Sequence, residues 1–469
     1  MLFPTMAFGL FFLVVFFTAW GLERENGRRK AFLVLASWVF YGWWDWRFVG
    51  LLILSATLNW GIAEAVSRSE RRSTRLWLVG TGVALDLVIL GVFKYYGFFV
   101  EQLGDALDAL HWGRDLPLLQ LVLPVGVSFF TFQGISYLVD VHRGRCERAR
   151  SLLDVMLLMS FFPHLVAGPI VRARDLLPQF AQTPRPTRAM LSHGLLLIVW
   201  GLFKKTVVAS ELSAGLVDPV FFDPGAYGAG DLLFAAWGYA VQIYCDFSAY
   251  SDIAIGVAAL LGYRFPRNFD QPYRSASLQE FWRRWHISLS SWLRDYVYIP
   301  LGGDRRGLLA ACRNIMVTLL LGGLWHGAAW TFVAWGALHG VGLCAERVWQ
   351  ALRPASWPPA PVVVRVLITF HLVCLGWILF RADSFGQALE FLQGFGRLQA
   401  PSALVTPFLA GLILLGLAMH LLPGRFAEGL ARFARYLPSP ALGLAVGAVM
   451  LAIEAVRPEG IAPFIYYQF

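Results

Sequence analysis

The chain has 469 residues, of which 57% are hydrophobic and only 15% are charged. Soluble proteins average about 45–50% apolar and about 25% charged residues. Many apolar runs also approach the roughly 20 residues that span a hydrocarbon core. Together these features exclude a soluble enzyme, a disordered chain and a disulfide scaffold. They predict an all-α polytopic membrane protein.

We predict about 11–12 transmembrane helices in a single domain, residues 1–469. A further apolar stretch, 152–170, contains Pro163, Gly168 and Pro169, which disfavour a straight helix. We therefore predict a re-entrant hairpin there, which is tolerated only where protein covers its backbone. In chain order, the candidate spans are 3–20, 31–44, 48–66, 76–99, 118–140, 189–209, 231–262, 308–325, 328–346, 366–380, 402–422 and 439–456.

The distribution of positive charge predicts the orientation. Thirty of the 39 Lys and Arg residues fall in loops that this arrangement places on one side, and five fall on the other side. Cytoplasmic loops are enriched in Lys and Arg, so the N-terminus is expected outside. The same rule accounts for the net charge of +9 without a nucleic-acid partner.

The inside loop 263–307 is neither short nor hydrophilic. Its apolar residues recur at helical spacing from Leu278 to Val297. Ser277 and Glu280 form a possible capping box at the start, and Pro300 ends the pattern. This spacing predicts a flat amphipathic helix whose aromatic side lies in the membrane interface or against the helix bundle.

Two arginines on the polar face of that helix, Arg283 and Arg284, allow two interpretations. Guanidinium groups suit phosphates, so they could bind an anionic ligand on the cytoplasmic side. Equally, they could anchor the helix to phospholipid. His286 falls toward the apolar side of the same helix, where an isolated histidine is more often structural than catalytic.

His326 follows a long apolar run and is flanked by Gly322, Gly323 and Gly327. These glycines allow another group to approach the backbone closely. An ionisable residue at membrane depth is a functional hypothesis by default, and a neutral imidazole can take a proton from a hydroxyl. The alternative is a role in packing or gating. Most of the other histidines in or beside spans are expected to form hydrogen bonds between helices.

Asp246 and Asp252 also lie in apolar surroundings. We expect them to satisfy buried Ser, Tyr or Arg groups, and a proton relay is the alternative. The five cysteines form no CxxC pair, and no histidines are spaced as in HExxH. The sequence therefore predicts neither a metal site nor a disulfide framework.

Several long stretches resemble the membrane-bound O-acyltransferase family. The resemblance is greatest to its bacterial branch, which includes alginate O-acetyltransferases and teichoic-acid D-alanyl transfer proteins, and it covers nearly the whole chain. The stretches are LPVGVSFFTFQGISYLVDVHRG (123–144), FFPHLVAGPIVR (161–172), YCDFSAYSDIAIG (244–256), FWRRWHISLSSWLRDYVYIPLGG (281–303), GGLWHGAAWTFVAWGALHG (322–340) and PFIYYQF (463–469).

This resemblance implies an enzyme of the bacterial inner membrane that serves the O-acetylation of an extracytoplasmic polysaccharide. Alginate is the first candidate for the polymer. Peptidoglycan O-acetylation and D-alanine transfer are the alternatives within the family. His326 and His286 match the family's motif histidines, which implies catalytic roles. The donor would be acetyl-CoA or another acyl thioester, with no tightly bound cofactor.

The implied partners are a separate extracytoplasmic acetyltransferase, which we expect to dock on the outer face and the tail Phe464 to Phe469, and an acyl carrier on the cytoplasmic side. A hypothesis from another class is a proton-coupled transporter that uses His326 and the buried aspartates. Such transporters often contain internal repeats, and the sequence shows none.

Overall fold

The structure, a computed structural model, describes residues 1–112, 121–354, 356–398, 404–422, 424–456 and 464–465. These residues form helices, turns and loops, with no strand among them. The protein is thus an all-α polytopic membrane protein. The residues group into two compact units, Met1–Thr187 with Val257–Phe265, and Arg188–Gly256 with Pro266–Phe469. The single domain over 1–469 stays a prediction.

The first unit holds the N-terminal helices. A π-helical segment, Gly91–Tyr95, joins α4 and α5 into one continuous helix. The helices are α1 Met6–Gly21, α2 Asn26–Asp45, α3 Arg47–Arg68, α4 Arg72–Leu90, α5 Tyr96–Ala109, α6 Val127–His142, α7 Leu152–Ser160, α8 Phe162–Leu165 and α9 Ala173–Phe180.

The second unit holds the remaining helices and every predicted site residue. π-Helical segments cover Phe203–Ala209, Ser213–Val217 and Arg294–Tyr298. The α-helices are α10 Arg188–Leu202, α11 Ser210–Leu212, α12 Asp218–Phe222, α13 Ala229–Leu260, α14 Leu278–Arg284, α15 Ile287–Leu293, α16 Gly307–His326, α17 Trp330–Leu352, α18 Val362–Arg381, α19 Phe385–Gln393, α20 Pro407–Ala418, α21 Gly424–Tyr436 and α22 Ser439–Val456. The last four residues of α13 belong to the first unit.

Each predicted span contains a helix, although two of these helices are shorter than predicted. In the span predicted at 118–140, the structure describes residues 121–140, which become helical at Val127, after Gly126 in a left-handed conformation (φ 77°). In the span predicted at 402–422, the described residues 404–422 are helical over Pro407–Ala418. Among the described residues, six helices are long and apolar enough to cross a membrane: Arg47–Arg68, Arg72–Ala109, Ala229–Leu260, Gly307–His326, Val362–Arg381 and Ser439–Val456.

The predicted break within 152–170 is confirmed. Helix α7 stops at Ser160, α8 covers one turn that includes Pro163, and residues 166–172 are non-helical. This irregular backbone is almost entirely buried, and Phe162 N donates to Ser37 Oγ at 3.1 Å. Protein therefore supplies the partners that hydrocarbon cannot. That both ends of the segment face the same side of the membrane stays a prediction.

Small residues allow α16 and α17 to pack at close range. A Cβ on Gly323 would overlap the Phe332 carbonyl, and a Cβ on Gly336 would overlap the Leu319 carbonyl. Small residues at helix interfaces are a common way to bring membrane helices together. The predicted close approach beside His326 is thus confirmed at Gly323, where the approaching group is the neighbouring helix.

Two ion pairs connect the π-helical segment Phe203–Ala209 to α13. Lys204 Nζ lies 2.7 Å from the Asp252 carboxylate and donates to Ser248 Oγ at 2.6 Å. Lys205 Nζ lies 2.7 Å from the Asp246 carboxylate, with both side chains at most 5% exposed. The sequence predicted Ser, Tyr or Arg as the partners of these aspartates, and that prediction is wrong because each carboxylate pairs with a lysine. Their partners are lysines because the π-helical segment Phe203–Ala209 presents Lys204 and Lys205 to α13.

The close packing of α16 on α17 predicts the effect of a single methyl group. Gly336→Ala should lower the free energy of unfolding by about 1–3 kcal/mol, because the new Cβ would overlap the backbone of α16. The measurement is the apparent melting temperature of purified protein in detergent. Gly411→Ala is the matched control, because nothing lies within 4 Å of its Cβ. Equal melting temperatures for the two variants would contradict the prediction.

The buried pair of Lys205 and Asp246 predicts that replacing one partner lowers stability strongly and that replacing both lowers it less. Lys205→Met should lower the free energy of unfolding by about 3–5 kcal/mol, because it strands a buried carboxylate. Adding Asp246→Leu should restore part of that loss. As a control, Arg47→Gln removes a pair whose arginine is 65% exposed, and it should change the melting temperature little. A double variant less stable than Lys205→Met alone would contradict this account.

Candidate active site

The segment 263–307 contains two helices where the sequence predicted one. Helix α14 starts as expected, because Ser277 Oγ accepts from Glu280 N at 3.0 Å. The single helix to Val297 is wrong, since α14 ends at Arg284 and α15 begins at Ile287. Between them, His286 adopts a left-handed conformation with φ 41° and ψ 56°. Neither proline nor glycine stands at this break, so composition did not reveal it.

Asn268 stabilises the break by replacing the missing helical hydrogen bonds. Its backbone carbonyl accepts from Ile287 N at 2.9 Å, and its Oδ1 accepts from Ser288 N at 3.1 Å. Its Nδ2 donates to Ser251 Oγ on α13 at 3.0 Å. Because Ser288 N can only donate, the amide oxygen of Asn268 must face α15. The loop residue Asn268 thus fixes the position of His286.

This orientation of Asn268 also fixes the tautomer of His286. His286 Nδ1 lies 3.2 Å from Asn268 Oδ1, which can only accept, so a neutral imidazole carries its proton on Nδ1. The other nitrogen, Nε2, is then an unprotonated acceptor, and it has no hydrogen-bond partner among the described residues. His286 is completely buried, and this burial lowers the pKa of the imidazole to about 3. His286 therefore presents a neutral ring with a lone pair on Nε2.

The aromatic side of the segment packs against protein, which confirms one of the two predicted arrangements. The rings of Trp285 and Trp377 are 4.9 Å apart between centroids, and those of Trp282 and Trp335 are 5.6 Å apart. Trp335 and Trp377 belong to α17 and α18. The segment is thereby held against two helices of the same unit.

His326 is the last residue of α16 and is 4% exposed. Its imidazole centroid lies 4.9 Å from the Trp335 ring, 5.0 Å from Trp325 and 5.1 Å from Phe380. These rings belong to α16, α17 and α18. His326 therefore sits at the end of a helix, inside an aromatic cluster contributed by three helices.

The structure brings the two predicted histidines into one cluster. Trp325 contacts His326, and its ring centroid is 6.1 Å from that of His286. Phe247 of α13 packs edge-on against His286 at 4.6 Å. Two buried imidazoles thus share Trp325 as a neighbour, although forty residues separate them in sequence.

The two arginines of α14 occupy different environments. Arg284 contacts Glu280 at 2.9 Å and Asp270 at 3.2 Å, and it is half-buried. Its guanidinium therefore belongs to an intramolecular network that ties α14 to the preceding loop. Arg283 is exposed. The structure distinguishes two residues that the sequence pattern treated alike.

Sequence reasoning gave no special role to Trp335, His339 and Phe380, which line or adjoin the cluster. Trp335 and His339 are four residues apart on α17, a spacing that places them on one face and could have revealed them. His339 was expected to form a hydrogen bond between helices, yet neither of its ring nitrogens has a partner among the described residues. His164 does meet the expectation, because its Nε2 lies 2.8 Å from Gln133 Nε2 and 2.9 Å from the Leu158 carbonyl.

The C-terminal tail was expected to form part of an exposed docking surface, which is wrong for the two tail residues that the structure describes. Phe464 and Ile465 are buried, and Ile465 N donates to Asp246 at 2.9 Å. The rings of Phe464 and Tyr250 are 4.1 Å apart. Residues 466–469 lie outside the described residues.

Comparisons with known proteins agree with this picture. The family model of the membrane-bound O-acyltransferase family matches residues 149–384, which include both histidines and both arginines. A probable alginate O-acetylase of Azotobacter vinelandii is 42% identical over 388 residues, covering 82% of this chain and 76% of that protein.

Two relatives act on other polymers according to their names. A peptidoglycan O-acetyltransferase of Helicobacter pylori is 36% identical and covers 86% of this chain and 81% of its own length. A teichoic acid D-alanyltransferase of Bacillus subtilis is 27% identical and covers 57% of this chain and 71% of its own length. The chain therefore belongs to the membrane-bound O-acyltransferase family, and it is a membrane-bound O-acyltransferase.

Proposed function

We propose that this enzyme moves acetyl groups from a cytoplasmic thioester donor across the membrane for O-acetylation of an extracytoplasmic polysaccharide, with alginate as the polymer. The observation that carries the proposal is the pair of buried imidazoles, His326 and His286, joined through Trp325 in one unit of a membrane acyltransferase. The relatives named as probable alginate O-acetylases, 40–42% identical, support alginate. Peptidoglycan O-acetylation and D-alanine transfer are the alternatives within the family.

In the proposed reaction, His326 acts as general base. It takes the proton of the acceptor hydroxyl while the hydroxyl oxygen attacks the thioester carbonyl carbon. A new C–O bond forms, the C–S bond breaks, and the imidazolium returns the proton to the leaving thiolate. His286 is the second catalytic residue, and its Nε2 lone pair can accept a hydrogen bond from the acceptor hydroxyl. A site free of bulk water strengthens each of these interactions.

A membrane location solves the problem that a charged donor cannot cross the bilayer. We propose that the donor, acetyl-CoA or an acyl carrier, stays on the cytoplasmic side and that only its thioester arm enters the protein. Exposed Arg283 is then the residue that meets the donor's phosphates, while Arg284 holds α14 through Asp270 and Glu280. The enzyme lies in the bacterial inner membrane with its N-terminus outside, and a separate extracytoplasmic acetyltransferase passes the acetyl group to the polymer.

The transporter hypothesis has weaker support. It assigned proton transfer to His326 and the buried aspartates, whereas Asp246 and Asp252 each pair with a lysine at 2.7 Å. Such pairs account for the position of both carboxylates in apolar surroundings without a transport function. Family membership favours acyl transfer, and the decisive assay is the release of thiol from an acetyl thioester by the purified protein.

The proposed base predicts the effect of His326 variants. His326→Ala should lower the rate of acetyl transfer to polymer by about 10²–10⁴-fold, because no group remains to take the proton. His326→Gln should be equally impaired, since an amide can form hydrogen bonds but does not take up a proton at neutral pH. Both proteins should purify as a single species. Near-normal activity of His326→Gln would contradict the general-base role, and greater damage from His286→Ala would reverse the two assignments.

The different environments of the arginines predict different kinetic defects. Arg283→Gln should raise KM for acetyl-CoA several-fold and leave the melting temperature unchanged, because it removes an exposed positive charge that meets phosphate. Arg284→Gln should instead lower the melting temperature, because Asp270 and Glu280 lose their partner. Donor titrations and thermal unfolding measure both. An unchanged KM in Arg283→Gln would exclude Arg283 from the donor site.

The proposed orientation predicts which side of the membrane each loop faces. In a variant without the native cysteines, Arg305→Cys lies on an exposed turn of the inside loop, and Ala226→Cys lies on an exposed predicted outside loop. A membrane-impermeant maleimide added to intact cells should label Ala226→Cys, and it should label Arg305→Cys only after permeabilisation. The reverse pattern would overturn the orientation. The replaced cysteines are Cys146, Cys245, Cys312, Cys344 and Cys374.

A further inference from the structure

A second polar cluster adjoins His326 and has no role in the reaction described so far. It comprises His339, Trp335 and Trp282. The ring centroids of His339 and Trp335 are 5.0 Å apart, those of His339 and Trp282 are 5.3 Å apart, and those of Trp282 and Trp335 are 5.6 Å apart. All three rings are thus in mutual contact.

The polar atoms of this cluster lack partners. Both ring nitrogens of His339 and Nε1 of Trp335 and Trp282 are buried, with no hydrogen bond to any described residue. His339 and Trp335 are each 1% exposed. A buried polar group left without a partner costs about 1–3 kcal/mol. Four such atoms in one cluster indicate that something else fills their hydrogen-bonding capacity.

Some neighbouring polar atoms of the same types do have partners within the protein. Trp377 contacts Trp335, yet its Nε1 donates to Tyr273 Oη at 3.1 Å. His420 is also buried, and its Nδ1 lies 3.0 Å from the Gly416 carbonyl. Buried nitrogens without a partner among the described residues also occur at His286 Nε2 and His420 Nε2, but in the three-residue cluster four of them lie on rings in mutual contact.

The position of the cluster indicates what it binds. Trp335 contacts His326 directly at 4.9 Å, and Trp282 immediately precedes exposed Arg283 on α14. The cluster thus contacts the proposed base and shares helix α14 with the proposed donor-binding arginine. Two indole N–H groups donate to carbonyl oxygens, and a neutral imidazole both donates and accepts. Aromatic rings with this set of polar groups suit a slender, uncharged chain that carries secondary amides.

We propose that His339, Trp335 and Trp282 bind the amide groups of the thioester donor's arm and so hold the thioester beside His326. This inference rests on the proposed acyl transfer and adds the residues that recognise the uncharged part of the donor. Water molecules offer the same hydrogen bonds, and a test must distinguish them from the donor.

The test uses three uncharged acetyl thioesters that differ in their number of amides. S-acetylpantetheine has two, S-acetyl-N-acetylcysteamine has one, and S-ethyl thioacetate has none. For the full-length wild-type enzyme, kcat/KM should fall about tenfold with each lost amide, because each loss leaves protein groups unpaired. In His339→Phe and in Trp335→Phe, the ratio of kcat/KM for S-acetyl-N-acetylcysteamine to kcat/KM for S-ethyl thioacetate should drop toward one.

Trp377→Phe is the matched control. It removes an indole N–H that already donates to Tyr273 within the protein, so the substrate ratio should stay at the wild-type value. Should His339→Phe fail to fold, Trp282→Phe at the less buried edge of the cluster provides the same comparison. A wild-type ratio retained in folded His339→Phe, Trp335→Phe or Trp282→Phe would overturn the proposal and assign the cluster to water.

Failure of the cluster's proposed role and failure of the proposed function give different results in this test. A wild-type enzyme that uses acetyl-CoA but does not discriminate among the three thioesters refutes only the role of the cluster. A wild-type enzyme that releases no thiol from acetyl-CoA or from any of the three thioesters refutes acyl transfer itself, and the cluster's role with it.

Discussion

Hydrocarbon offers no hydrogen bonds, so the buried polar groups of a membrane protein must find their partners within the protein. In this chain, that constraint explains the features on which the candidate site depends. Lys205 and Asp246 lie at most 5% exposed and satisfy one another. Asn268 uses its side-chain amide and its backbone carbonyl in hydrogen bonds that hold the break before α15 against α13. Groups that remain unpaired, such as those of His339, are conspicuous for that reason.

The same constraint connects the C-terminal tail to the candidate site. Asp246 accepts from Ile465 N while it pairs with Lys205. Phe464 lies 5.8 Å from Phe247, whose ring packs against His286 at 4.6 Å. Asp246 thus anchors Ile465, and the preceding tail residue, Phe464, packs against the Phe247 ring that contacts His286. Disturbing the tail would therefore affect His286 through packing, independently of any docking role.

The sequence predicted the helical class, a helix in every candidate span and the break near Pro163, because hydrophobic periodicity and proline are local signals. It also made His326 a candidate, since an ionisable group at the end of a long apolar run is visible in the sequence alone. It missed the break at His286 because Asn268, eighteen residues earlier, supplies the hydrogen bonds that stabilise a left-handed histidine. It missed the lysine partners of Asp246 and Asp252 because such pairing depends on which helices meet.

The environment of His286 favours a positioning role over a role as general base. General-base catalysis is most efficient when the base has a pKa near the operating pH. Complete burial lowers the pKa of His286 to about 3, so this imidazole stays neutral at physiological pH but is a weak base. Its Nδ1 proton is held on Asn268, which directs the Nε2 lone pair away from that contact. A ring with a fixed lone pair and low basicity is suited to accept a hydrogen bond and orient a hydroxyl. On this argument His286 positions the acceptor, and the proton goes to His326.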